Sequence, residues 1–154
     1  MTPEVLRSLI AGAETLDVEF KGEEARALSD GDLVEAVVCL ANRPGNAPGW
    51  LRVGVEDDGR VTGARPRHAD RTDPLRLQAL IAHRTRPSLS ARVEIVRLGD
   101  RDVIAVEVPG AAHKITASGY LITARSNISA GWVCAFRARP RPSVGVAEPQ
   151  GGTA

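Results

Sequence analysis

The chain has 154 residues, 43% hydrophobic and 25% charged, which fits one globular domain that folds without disulfide or metal staples. Aromatic residues make up only 3%, so the core must be built from Val, Leu, Ile and Ala, and a single-strand platform of stacked rings is disfavoured. No apolar run approaches the roughly 20 residues needed to cross a bilayer, and 1–10 lacks a signal-peptide core; the expectation is a cytoplasmic protein that does not meet a membrane.

The net charge of +1 hides an asymmetry: residues 1–58 hold twelve acids and five bases, and residues 59–154 hold seven acids and fifteen bases. Chance patterning on a solvated surface accounts for this, and so does an acidic site beside a basic footprint for a polyanion. Lys21 and Lys114 are the only lysines.

In chain order, residues 3–12 read as a short helix with Val5, Leu6, Leu9 and Ile10 on one side. Residues 16–21 alternate: Leu16, Val18 and Phe20 on one face, Asp17, Glu19 and Lys21 on the other, a half-buried strand. Ser29 and Asp32 have capping-box spacing ahead of a helix carrying Leu33, Ala36, Val37, Leu40 and Ala41, which Pro44 ends. Cys39 lies on that pattern as a buried free thiol; neither it nor Cys134 has metal-ligand spacing. Residues 50–56 read as a strand, Asp57-Asp58-Gly59 as a turn, and 60–62 as a short strand. Polar 65–72 is a loop. Pro74 and Asp73 open a helix over 74–84. Strands over 91–98 and 102–108 form a hairpin through Gly99-Asp100, and 120–124 is a last strand. Residues 1–137 make the domain, and the Pro- and Gly-rich 138–154 a disordered tail. The fold class is α/β (α+β): a mixed sheet with helices packed on it, because the early connections are crossovers and the later one is a hairpin.

The strand 17–21 gathers carboxylates and a lysine, with Glu14 just before it and Asp57 and Asp58 where the next strand ends. Close carboxylates hold divalent cations, and a lysine meets phosphate as a point charge. A plain amphipathic strand showing its polar face to water is the commoner reason for such a pattern. Strict alternation from Leu51, Val53 and Val55 puts Asp57 on their apolar side unless the strand ends or bulges at Glu56. Trp50 and Trp132 read as packing residues, and His83 as a helix-surface residue. No phosphate-loop motif for ATP is found.

Ala13-Glu14-Thr15-Leu16-Asp17-Val18-Glu19-Phe20-Lys21 resembles the opening of Schlafen-AlbA domains. Leu40-Ala41-Asn42, Gly49 and Val53-Gly54-Val55-Glu56-Asp57-Asp58-Gly59 with Val61 and Gly63 resemble the family's central block. Val103 to Val108, His113-Lys114 and Tyr120 to Arg125 resemble its closing one. The tandem glycine of the central block is replaced here by the longer stretch 42–50, and Ser126 follows Arg125 where the family has glycine.

The resemblance implies a Schlafen-core, AlbA-like fold that binds nucleic acid, RNA or DNA. It also implies a metal-dependent endoribonuclease acting on structured RNA such as tRNA, with Glu14, Glu19 and Asp57 holding Mg or Mn and Lys21 beside them. The alternative is a non-catalytic DNA-binding, regulatory or protein-interaction module. Arg65, Arg67, His68, Arg71, Lys114 and Arg125 are the expected nucleic-acid contacts, and a homo-oligomer would let two protomers share a basic groove.

Overall fold

The computed structural model describes residues 1–12, 15 and 17–117, together with the backbone of 120–126 and 132–138. Thr2 caps α1 (Pro3–Ala11), accepting from the Val5 amide with proline at the first helical position. Strand β1 (Val18–Lys21) follows, its residues alternately buried and half-buried. The Ser29 hydroxyl accepts from the Asp32 amide at 3.0 Å and so starts α2 (Asp30–Ala41). Strand β2 (Gly49–Val53) comes next. Asp73 caps α3 (Pro74–Arg84) through the Leu75 amide at 2.9 Å.

The short β3 (Thr85–Arg86) precedes β4 (Arg92–Leu98), β5 (Arg101–Val108) and β6 (Thr116–Ala117). The chain ends its described course in the hairpin of β7 (Tyr120–Ser126) and β8 (Trp132–Ala138).

The central sheet has the order β1-β2-β5-β4. β1 and β2 run parallel, as a crossover through α2 demands; the β2–β5 and β5–β4 pairs are antiparallel. The sheet is therefore mixed, as the connections imply. Helices α2 and α3 cover one face, packing Leu33, Val37, Leu77 and Ile81 on Leu51, Val53, Ile104 and Val106. Helix α1 covers the other, where Leu6 meets Val18, Phe20, Val96 and Val103. With both faces covered, the interior strand β2 has no solvent side, and alternation along it carries no polar stripe.

Five details differ from the sequence reading. Strand β2 stops at Val53 rather than running to residue 56, because Gly54 takes φ +92° and a Cβ there would lie 2.3 Å from the Ala64 amide nitrogen. The chain switches faces at that point: Val53 packs under α2 and Val55 under α1. The break thus falls two residues before Glu56, and residues 60–62 contribute one bridge, Val55 to Val61. Cys39 is half-buried rather than buried. Two strand pairings were not anticipated: β3 with β6, and β7 with β8, whose second strand occupies 132–138. Glu14, Leu16 and the segment from 139 onward lie outside the described residues, as do the side chains of Arg125, Trp132 and Cys134.

Candidate nucleic-acid interface

Of the three expected carboxylates the structure describes Glu19 and Asp57. Glu19 and Lys21 share a face of β1, as their spacing requires, and Lys21 Nζ donates to Glu19 Oε1 at 2.6 Å. Each pairs in register with a residue that faces α2, Glu19 with Leu51 and Lys21 with Val53. Glu35 of α2 belongs to the same group: burial raises its pKa, Asp32 adds to the rise, and Lys21 opposes it.

Asp57 instead stands exposed in the turn between Val55 and Val61, and that turn's Gly59 lies against Ile10 of α1. Glu14 is outside the described residues. Among the described residues no three His, Cys, Asp or Glu side chains gather closely enough to hold a metal ion. Glu19 and Asp57 alone are therefore not a complete ligand set. The inward-turning acid of this turn is Glu56, which accepts from the Glu24 amide and from Thr62 Oγ1 at 2.5 Å. Gly22 makes room for it, since a Cβ there would come within 1.9 Å of Glu56 Oε2.

The loop 65–71 is folded around a buried acid. Glu23 is 2% exposed and accepts from the amides of Leu28 at 2.7 Å and Arg65 at 2.6 Å and from Arg67 Nη2 at 3.2 Å. The Arg65 guanidinium donates to the carbonyls of Glu23 and Glu24 at 3.0 and 3.1 Å. The Arg67 side chain is 8% exposed and also pairs with Asp30 at 3.3 Å. His68 Nδ1 accepts from the Asp73 amide at 3.0 Å, so its ring supports the start of α3. Arg71 is exposed. This loop borders a cleft of about 540 Å³ at the carboxyl ends of β1 and β2, shared with Arg60, Asp100 and Asp102. Arg60 there is clamped by Glu24 at 3.0 and 2.7 Å, so the cleft wall carries charges of both signs.

A different basic surface lies at the opposite end of the sheet, where β2 begins, β5 finishes and β4 begins. His83 and Arg84 close α3, where cations complement the helix dipole. Arg86 follows in β3, its Nη1 donating to the carbonyls of His83 at 3.0 Å and Thr85 at 2.8 Å. Its strand partner is Thr116, and this pairing brings exposed His113 and Lys114 to the same end. Arg92 opens β4 and is also exposed. Of the sequence-predicted contacts, only Lys114 lies on this surface among the described side chains. Arg84, Arg86 and Arg92 lie on this surface too, and the sequence carries a sign of it: no acid occurs between Asp73 and Glu94.

At this end Arg43 is not part of the cationic surface. It is 8% exposed and holds Asp17 at 2.6 Å, together with the carbonyls of Leu40 and Ala47. Asn42 clamps Ile115 through two bonds of 2.7 Å, which gives this motif residue a structural task.

Solved structures share this fold. The DIP2311 protein of Corynebacterium diphtheriae matches with TM-score 0.55 and 27% identity over 73% of this chain, which spans 23% of that protein's length. The N-terminal domain of a RecG-related protein, described in connection with ATP-dependent DNA helicases, from Nitrosomonas europaea matches with TM-score 0.55 and 19% identity over 100% of this chain and 99% of that one. No curated protein matches the chain. The family model described as "Schlafen, AlbA_2" matches residues 14–130. With its mixed sheet between one helix and two, the chain belongs to the Schlafen AlbA_2 family.

Proposed function

We propose that this domain binds nucleic acid, with the surface of Arg84, Arg86, Arg92 and Lys114 laid along the phosphate backbone. The observation that carries this reading is the state of the cations. Among the described residues Arg84, Arg86 and Lys114 are exposed and have no carboxylate within ion-pair distance, whereas Arg65 and Arg67 are occupied internally. Such cations displace counterions from a polyanion, and binding then falls linearly with salt on a log–log plot.

Fluorescence anisotropy with single-stranded RNA, tRNA and duplex DNA across a salt series tests the reading. Replacing Arg84, Arg86 and Lys114 together by Ala should weaken binding by at least about tenfold and reduce the slope by roughly 2–3. An unchanged slope would place the footprint elsewhere.

A metal-dependent endoribonuclease is the second reading, favoured by the half-exposed Glu19–Lys21 pair, which solvent and a phosphate can both reach. Glu14 and Asp57 would complete its ligands, and the metal would supply charge neutralisation on a phosphodiester. Manganese should then raise the melting temperature, and Glu19→Gln should abolish the rise while leaving the fold intact. No metal-dependent rise together with no cleavage of tRNA would end this reading and leave a binding module.

A further inference from the structure

Beneath α1, at the same end of the sheet as the basic surface, is a cavity of about 220 Å³ whose wall includes Trp50, Glu107, Arg92, Glu94, Ala105 and Val5. It is smaller than the roughly 300–1,000 Å³ of drug-sized ligand sites, so it suits one ring system better than a whole nucleotide. Glu107 lies between Trp50 on β2 and Arg92 on β4 in the strand register. Arg92 Nη2 nevertheless turns to Glu94 at 2.7 Å, and Glu94 also receives the Met1 amino group. Glu94 is thereby satisfied, and the half-buried Glu107 carboxylate has no hydrogen-bond partner among the described residues.

Behind the wall stands Arg52. It is 0% exposed, its guanidinium lies 4.7 Å from the centre of the Trp50 ring, and its Nε and Nη2 are unpartnered among the described residues. Arg52 fixes the ring by a cation–π contact and faces Glu107 as the opposite charge.

The cavity therefore offers an aromatic wall and one open acceptor, in surroundings already holding Arg52, Arg92 and the Met1 amino group against Glu94 and Glu107. A second cation is disfavoured there, and so is an anion beside Glu107. A neutral planar donor fits. A carboxylate takes two parallel N–H donors, and among the four bases guanine alone presents two adjacent ones on its pairing edge, N1–H and N2–H. We propose that this cavity takes one unpaired guanine base of a nucleic-acid strand whose phosphates lie on the neighbouring basic surface, with Glu107 accepting from its pairing edge and Trp50 flanking the ring. This rests on the nucleic-acid reading above. Arg92 links the two, since it belongs to both surfaces.

The test uses the full chain and two single-stranded RNA oligomers, all-uridine and the same length with one central guanosine, titrated by anisotropy at one salt concentration. Wild type should prefer the guanosine oligomer by roughly five- to a hundred-fold, the range of a good bidentate contact. Glu107→Gln keeps the shape and should remove the preference, while the loss of a negative charge beside Arg92 should leave affinity for the uridine oligomer equal or higher. Val5→Trp, which fills the cavity from the exposed side of α1, should also remove the preference without touching Glu107. Equal wild-type affinity for the two oligomers, or a preference that survives both variants, overturns the base pocket and leaves the nucleic-acid reading standing. Binding of neither oligomer by the wild type overturns both.

Discussion

Two arginine-rich stretches of this chain, 65–71 and 84–92, look alike in sequence and do opposite things. In the first, Arg65 and Arg67 converge on Glu23, Glu24 and Asp30, and the guanidinium groups become internal fasteners. In the second, Arg84 and Arg86 meet only carbonyls or solvent, and their charge stays outward. The difference lies in the acids that the fold delivers to each end of the sheet, not in the arginines. At the carboxyl ends of β1 and β2 the fold brings Glu23 and Glu24 to one cleft with Asp100 of the β4–β5 turn and Asp102 of β5. At the other end, among the described residues, Asp17 is taken up by Arg43 and Glu94 by Arg92 and Met1, which leaves Arg84, Arg86 and Lys114 without a carboxylate partner. A basic run in a sequence is thus a weak guide to a polyanion surface until its local counter-charges are known.

Breaking the first end should have the largest effect. Glu23→Ala strips the buried Arg67 of its main counter-charge and leaves the amides of Leu28 and Arg65 without an acceptor. Removing one partner of a buried pair typically costs about 3–5 kcal/mol, and chemical denaturation should show a loss of that size. Affinity for nucleic acid, measured well below the melting transition, should hold. A loss below about 1 kcal/mol would mean that the loop is not anchored through Glu23. The Arg84, Arg86 and Lys114 variants invert this profile: each should change stability by no more than about 0.5 kcal/mol, as expected of exposed sites, while binding collapses. If all of these variants lowered stability and affinity together, the division of labour between the ends would be wrong.

Much of the fold was legible because it is written in local chemistry. Ser29 and Asp73 announce α2 and α3 through side-chain oxygens that accept the first free amides. Gly99, at φ +65° in the β4–β5 turn, marks the hairpin. The shared face of Glu19 and Lys21 followed from alternation alone, and their ion pair did not. Other features depended on what is far away in the chain. Arg52 alternates with Leu51 and Val53 and so reads as solvent-facing, but α1 covers that face, and burial pushes the guanidinium down to about 10. The face switch at Gly54 depends on the close approach of Ala64. The basic end is assembled from three segments by the β3–β6 pairing of two-residue strands, too short to show any periodicity. Strand β8 is defined by its pairing with β7.

The smallest expected effect concerns Glu35, the acid that the sequence did not single out beside Glu19 and Lys21. Its folded-state pKa is raised, first by burial and then by Asp32, with Lys21 opposing. For a carboxyl group a raised pKa means that folding favours the protonated form. The contribution is therefore absent below the ordinary carboxylate range, where both states are protonated. It becomes a growing penalty as pH rises through the unfolded and then the raised folded pKa, and is constant above. Glu35→Gln should consequently stabilise the domain at about pH 7 and leave it unchanged at about pH 3, where wild type already carries the proton. The gain should be small because the group is only partly buried. Added manganese should erase part of it if a cation binds beside Glu19, since a nearby positive charge favours the ionised form of Glu35. Urea melts of the two proteins at the two pH values, with and without manganese, read this directly. A Glu35→Gln protein less stable than wild type at neutral pH would show that the Lys21 attraction outweighs the burial. In that case the carboxyl group is a partner of the Glu19–Lys21 pair rather than a strained neighbour of it.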